Sequence, residues 1–517
     1  MGLLEGSRYP VSYAVFSLVK SIMTRNTLGW IWTLIALFSS TTAYGQLTTA
    51  EAGRLGLEPR WTAALHTSLK EPSKTSVMIW QSSAPAKTSI ELAAEGKQIV
   101  LDTNTLGADG KPIGIDGAKA QAETLAKRMR FAGLKPVITE RTSPNIFLLV
   151  TASDGSLEML DAETGKSLWM TQVGKTSQPT FPATMNDKHV IVTNGSTIYA
   201  LETETGKSLF SFRCEDAPGS AAGELNGRIF IPAITGKFIG YLTADRTREP
   251  SRFVYGGRSI VRSGVNRNLN VVAVPVEPRF VFFFTIDPSE KANSKPIPPV
   301  ATARLEAQSP IFATPVPYED SFIVCSRSGE IFRINPMAGG DIKWVTSTGS
   351  VLYSAPLVAQ NGIFVVSDPG ELLAYDANSG AVLAGWDTSI KGIKQVLSVT
   401  KDRVFVRNKS GQLAAYDFAS GGLVGTVGSG LVHGLANPVS DRIYVIAANG
   451  TIQCLAQKGA ESPLIHQNVQ AAATEKEPKE KPKPEIKRDG DTGADNPFGD
   501  GDAGMEAPAG DDPFGNG

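Results

Sequence analysis

The strongest constraint on this chain is a run of residues that recurs at a nearly fixed spacing. Residues 154–169 read DGSLEMLDAETGKSLW, and residues 194–210 read NGSTIYALETETGKSLF. Further copies begin at Ser328-Gly329, Pro369-Gly370 and Ser410-Gly411, and a shorter one begins at Asn449-Gly450. The turn glycines Gly155, Gly195, Gly329, Gly370, Gly411 and Gly450 are separated by 40, 134, 41, 41 and 39 residues. The long interval accommodates two more units, one at Gly236 and a degenerate one near Arg279, so that eight units result. A unit of about 40 residues cannot bury its faces alone, so such units must pack on their neighbours.

Within a unit the residues dictate strand, turn, strand, turn, strand. The first strand is a short apolar run, such as HVIVTN before Gly195 or SFIVCSR before Gly329. It closes on Asn-Gly, Asp-Gly or Ser-Gly, a hairpin turn whose Gly accepts positive φ. The second strand ends on an acidic residue, Asp161 in one unit and Glu202 in the next. A second turn follows in which that carboxylate caps backbone N–H groups, Thr164 or Thr205 stands three residues on, and Gly165 or Gly206 supplies a left-handed residue. The last strand opens with Lys-Ser-Leu and then Trp169 or Phe210. Four short antiparallel strands per period predict an all-β fold, a β-propeller of about eight four-stranded blades, with seven blades as the competing count.

The frame Ala-x-Asp-x-x-Thr-Gly-Lys-x-x-Trp resembles the tryptophan-docking motif of the pyrroloquinoline-quinone (PQQ)-like propeller repeat family. That family, within the quinoprotein alcohol dehydrogenase-like superfamily, also includes the propeller lipoprotein of the outer-membrane barrel-assembly machinery. Leu160, Asp161, Thr164, Gly165, Lys166 and Trp169 carry the resemblance, with Met159 where the motif has Ala, and it spans about residues 145–458. It implies that Trp169 stacks between blades, a structural and not a chemical role, and that Phe210 takes that place in the next unit. Asp161, Thr164, Gly165, Trp169, Glu202, Thr205, Gly206 and Phe210 are therefore read as a structural docking motif. Trp344 and Trp386 stand one or two residues out of phase with it.

Closure of the ring can also be read from residues. The last unit stops after Leu455 without a Thr-Gly-Lys-x-x-Trp strand, while Trp61 to Leu65 (WTAAL) resembles the missing strand. An N-terminal strand, within an N-terminal segment over residues 46–74, is expected to complete the final blade and remove an open sheet edge. Residues 75–143 lack the repeat frame and read as a small α+β insertion in the first blade, ahead of the repeats at 144–466. Its helix is expected to start at Asp116 as N-cap and stop at Gly133, with Ala118, Ala122, Leu125, Met129 and Ala132 on one face. Lys127, Arg128 and Arg130 read as a solvated helix end, and the insertion as a cap on one mouth of the propeller.

Composition restricts the chemistry. Lys plus Arg (50) and Asp plus Glu (51) cancel to a formal charge of -1, so no global field recruits nucleic acid. Three cysteines and four scattered histidines exclude a disulfide-built scaffold and a four-Cys zinc site. The resemblance implies what a quinoprotein enzyme would need, namely a disulfide between adjacent cysteines packed on the quinone and a Glu, Asn and Asp set on calcium. Cys214, Cys325 and Cys454 are instead solitary, and His189 and His433 read as structural. No catalytic, cofactor-binding or metal residue is assigned, and no cofactor is expected.

Residues 28–38 (LGWIWTLIALF) follow Arg25 and precede Ala43-Tyr44-Gly45, the grammar of a signal peptide over residues 1–45. The run is shorter than the roughly 20 apolar residues needed to span a bilayer, so a retained anchor is the lesser alternative. A start at Met23 would give a more compact signal. From residue 467 the chain is rich in Pro, Gly and charge and nearly devoid of aliphatic residues, which predicts a disordered tail over 467–517. Its repeated Asp495-Asn496-Pro497-Phe498-Gly499 and Asp511-Asp512-Pro513-Phe514-Gly515 read either as a docking motif or as low-complexity drift.

Together these readings give an exported, non-catalytic propeller in the periplasm or cell envelope that scaffolds unidentified envelope proteins, similar to a barrel-assembly propeller. Contact with the membrane is at most peripheral. The alternative is a quinoprotein-like dehydrogenase or small-ligand binder using the central channel. Deletion of residues 467–517 is expected to leave the thermal midpoint within a few degrees of that of the full chain, because the segment has no apolar anchor; comparative melts check this.

Overall fold

Each hairpin glycine of the repeat lies in the left-handed region, from φ 59° at Gly195 to 92° at Gly329, and joins two strands of an antiparallel sheet that has four strands everywhere but at Gly370, where it has three. In this computed structural model the described residues are 46–466, apart from 68–74, 95–96, 104–110, 288–297, 338, 387–388, 429 and 448. The expected signal peptide and acidic tail lie outside them. The second blade is representative: Thr184–Met185, His189–Asn194, Thr197–Glu202 and Ser208–Arg213 pair in that order from the channel outward. Its two central strands run in unbroken register from His189↔Glu202 to Asn194↔Thr197.

Among the described residues eight sheets form the ring, seven of four strands and the sixth of three, and the hydrophobic core is divided among their interfaces. Leu149, Met159 and Trp169 of the first blade pack on Val190, Val192 and Leu201 of the second. The same arrangement recurs at every junction through to the last, where Tyr444, Ile446 and Cys454 of blade eight pack on Ile146, Leu148 and Leu160 of blade one. This is why the turn glycines keep their period: each unit must present two apolar faces at matched height. The fourth blade keeps its strands, Val271–Val276 and Phe280–Thr285, although Glu277 to Arg279 replace the glycine turn.

The ring is closed by the N-terminal strand. Leu57–Ala64 pairs antiparallel with Thr451–Gln457, in the sheet completed by Ile443–Ala447 and Leu431–Leu435. The segment ahead of it is fastened too. The Gln453 side-chain amide bonds both the N–H and the carbonyl of Leu47, each at 2.9 Å, and Thr48 and Glu51 form a reciprocal capping box on the helix Thr49–Arg54. At the closing interface Arg442 is fully buried and donates from Nε and Nη2 to the two Glu163 carboxylate oxygens, both at 3.2 Å.

The first blade begins earlier than the sequence suggests. Ser76–Gln81 is its innermost strand, paired with Ile146–Thr151, so the insertion comprises residues 87–143 and not 75–143. The signal was hidden because the insertion separates this strand from its partner in sequence. Within the insertion, Lys87–Ala94 lies between Lys97–Asp102 and Val137–Ser143, and the helix Gly114–Phe131 packs on it. Asp116 is not the N-cap; Ile113 holds that position and packs with Ile90, Ala118 and Ala122, so burial of Ile113 decides where the helix starts. The buried stripe is Ala118, Ala122 and Ala126, small residues that let the helix approach the sheet closely, while Ala132 is exposed. The insertion is anchored by Lys87 to Asp161 and by Arg141 Nη2 to Glu163 Oε2 at 2.6 Å, beside the closing interface. Among the described residues it contributes none of those that line the channel.

Removing Arg442 leaves Glu163 buried beside an empty space. Arg442→Met is expected to lose about 3 to 5 kcal/mol in guanidinium unfolding, whereas Arg252→Met, which breaks partly exposed pairs with Glu215 and Glu249, changes stability by less than about 1 kcal/mol.

Candidate functional site

Two sites were legible as candidates, the docking frame between blades and the central channel. In the frame, Asp161 Oδ1 accepts from the backbone N–H of Glu163 (3.0 Å) and Thr164 (2.8 Å) and from the Thr164 hydroxyl (2.9 Å). The Gly165 N–H then returns to the Asp161 carbonyl at 2.8 Å, at φ 70°. Glu202, Thr205 and Gly206 repeat the turn, with the Thr205 hydroxyl on the Glu202 carboxylate. Such a turn leaves one carbonyl facing the preceding blade. The Trp169 indole Nε1 donates to the carbonyl of Thr203 at 2.8 Å, and a Cβ on Gly206 would stand 2.5 Å from the Trp169 ring.

The same contact occurs three more times. Trp61 donates to Ala162 (3.0 Å) and covers Gly165; Trp344 donates to Ala377 (3.2 Å) and covers Gly380; Trp386 donates to Phe418 (2.8 Å) and covers Gly421. Trp344 and Trp386 are therefore not out of phase in space. A register shift between Arg333 and Ile334 brings Trp344 into place, as one between Met159 and Leu160 does for Trp169. Trp386 is carried by a turn, its N–H on the Leu383 carbonyl, in the segment that takes the place of a regular outer strand in blade six. The accepting turns are built on Asp376 and Asp417 with Ser379 and Ser420 where Thr stands in the first two. Donors from Ser420 hold the Asp417 carboxyl below its ordinary value; Asp376 is also low, its turn N–H and hydroxyl donors outweighing an opposing desolvation. Phe210 makes no such bond; it is half-buried, and the Arg246 guanidinium lies 4.0 Å from its ring centroid.

Residues in or beside the innermost strands of all eight blades line a channel cavity of about 540 Å³. Its walls include Val77, Met78, Trp80, Val265, Leu357 and Val396, and its charged groups are Glu224, Arg262, Arg267 and Lys394. Both arginines come from blade four and reach residues of blades one and two. Arg267 lies over the Trp80 ring at 4.6 Å and donates to the Met185 carbonyl at 3.2 Å, while Arg262 Nη2 reaches Met78 Sδ at 3.5 Å. His189 is not isolated, since its Nδ1 lies 2.8 Å from Glu224 Oε2.

A family model described as outer membrane protein assembly factor BamB matches residues 153–388, the stretch that holds the docking turns at Asp161, Glu202 and Asp376. Over those residues the chain is similar to the PQQ-like propeller repeats. Among solved structures, BamB from Moraxella catarrhalis is 12% identical, covering 60% of this chain and 92% of its own, at a TM-score of 0.47. A computationally designed protein, Ika8, is 16% identical with the same coverage, at a TM-score of 0.45. No curated protein matches the chain.

The chain keeps its thiols inside. Cys214, Cys325 and Cys454 are all buried and free, and burial pushes the Cys214 and Cys325 thiols up to about 12. Among the described residues, no group of three or more His, Cys, Asp or Glu could hold a metal ion. Sequence reasoning missed Trp61 as a docking residue, the turns at Asp376 and Asp417, and the channel arginines. The Asp-x-x-Ser-Gly spelling of Asp376–Gly380 and Asp417–Gly421 was the signal available for the turns.

Gly206→Ala tests the docking frame directly, because the added methyl meets the indole and the backbone is left-handed. It is expected to lose about 1 to 3 kcal/mol, and Trp169→Ala, 8% exposed in the native state, about 3 to 5 kcal/mol. Equilibrium unfolding of both variants measures these losses.

Proposed function

We propose that this chain is a non-catalytic propeller scaffold of the bacterial cell envelope, exported and presenting its insertion to protein partners. The observation that carries the reading is the insertion's free end. Phe131, the last residue of its helix, is 93% exposed, and Val137, which opens the following strand, is 63% exposed. Exposed Lys127, Arg128 and Arg130 stand within the same turns of helix. A contiguous exposed apolar patch rimmed by charge marks an interaction surface, and Phe131 and Val137 beside this basic cluster are read as one. The platform beneath them is held to the ring by the Lys87 and Arg141 ion pairs.

The family whose model matches is named for assembly at the outer membrane, which agrees with a scaffold. A non-catalytic role is supported by the use made of the reactive groups. The thiols are buried and strongly protonated, hence poor nucleophiles. The acidic turns spend their carboxylates on backbone N–H groups. Reconstitution with PQQ and calcium is therefore expected to give no dye-linked alcohol oxidation.

Proximity labelling from the full chain in its native envelope tests the surface. Phe131→Asp combined with Arg128→Glu is expected to reduce labelling of the principal partners at least fivefold with an unchanged thermal midpoint, because both side chains are exposed. Unchanged labelling would move the interaction surface elsewhere on the ring.

A further inference from the structure

The charges in the channel do not balance locally. Arg267 has company: Glu224 and Asp187 act on it electrostatically, and Trp80 covers one face of its guanidinium. Arg262 has none. Among the described residues no carboxylate pairs with it, and its hydrogen-bond acceptor is the Met78 thioether, a weak one. Arg262 is half-buried, with channel water still reaching it, and its partial desolvation pushes its pKa down. The other lining cation, Lys394, adds positive charge from blade seven, and Glu224, the one lining carboxylate, is already engaged by His189.

A guanidinium presents five N–H donors in a planar fork matched to a carboxylate or sulfonate. Holding such a cation partly desolvated without a counter-charge is unfavourable, and the most direct relief is an anion in the channel. The walls specify the remainder of that anion. Val77, Met78, Trp80, Val265, Leu357 and Val396 are apolar or aromatic, and about 540 Å³ falls within the range of small-molecule sites. A small hydrated ion would leave those walls wetted and uncovered.

We propose that the channel binds an organic monoanion with an apolar body, its acidic head on Arg262 and its hydrocarbon against the walls contributed by blades one, four, six and seven. This is a binding activity additional to the scaffold reading and independent of it. It requires no reaction at the bound molecule.

The test uses the full chain and 8-anilinonaphthalene-1-sulfonate, an aromatic sulfonate that fluoresces on leaving water. The dye is expected to bind saturably at one per chain, and Arg262→Met to weaken it at least tenfold. The uncharged N-phenyl-1-naphthylamine is expected to bind wild type more weakly and to be insensitive to the substitution. Because Arg262→Met removes an uncompensated cation, its thermal midpoint should equal or exceed that of wild type. A second arm needs no variant: laurate displaces the dye from wild type and dodecanol at the same concentration does not. Dye affinity within twofold of wild type in Arg262→Met would overturn the proposal, as would equal displacement by laurate and dodecanol.

Discussion

A ring of repeats has one junction that ordinary repetition does not supply, and in this protein it is made by residues nearly 400 positions apart. Leu57–Ala64 must find Thr451–Gln457 before blade eight has its fourth strand. Until then, the apolar faces of Tyr444 and Ile146 lie open to water. The closure combines three kinds of interaction: backbone pairing, Trp61 on the Ala162 carbonyl, and the fully buried Arg442 on Glu163. Every other interface is local in sequence, so this one bears the loop-closure entropy of the whole fold.

The docking tryptophans show how a large side chain and a glycine can act as one unit. The indole supplies area and one donor; the turn supplies one outward carbonyl and a surface without a Cβ. Both halves lie in different blades, so the contact sets the angle between them. Four of the eight junctions use it, at Trp61, Trp169, Trp344 and Trp386. Where Phe210 stands, the ring has no donor and Arg246 covers its face, which keeps the packing and gives up the directional bond.

Much of this fold was legible in the sequence because local rules and global packing agree. The Asn-Gly and Asp-Gly turns, the acidic cap and the Thr-Gly pair each specify their own conformation, and their period specifies the ring. The closing strand could be recognised at Trp61 because a strand was missing after Leu455. The innermost strands were not legible for a physical reason: Thr184–Met185 and Gly223–Leu225 are two and three residues long, too short to show alternation. The channel site assembles Met78, Arg262 and Lys394 from three blades, and no spacing along the chain records that proximity. Likewise the start of the insertion helix followed the burial of Ile113, which outweighed the capping preference of Asp116.

Glu163 has a double allegiance. Its two oxygens serve Arg442 within the ring, and one of them also serves Arg141 from the insertion. The platform and the ring junction thus share a single carboxylate. Any ligand that holds the insertion in this geometry also holds Glu163 in place for Arg442, and by thermodynamic reciprocity a well-closed ring favours that ligand. Occupancy at the periphery and integrity of the circle become two readings of one equilibrium.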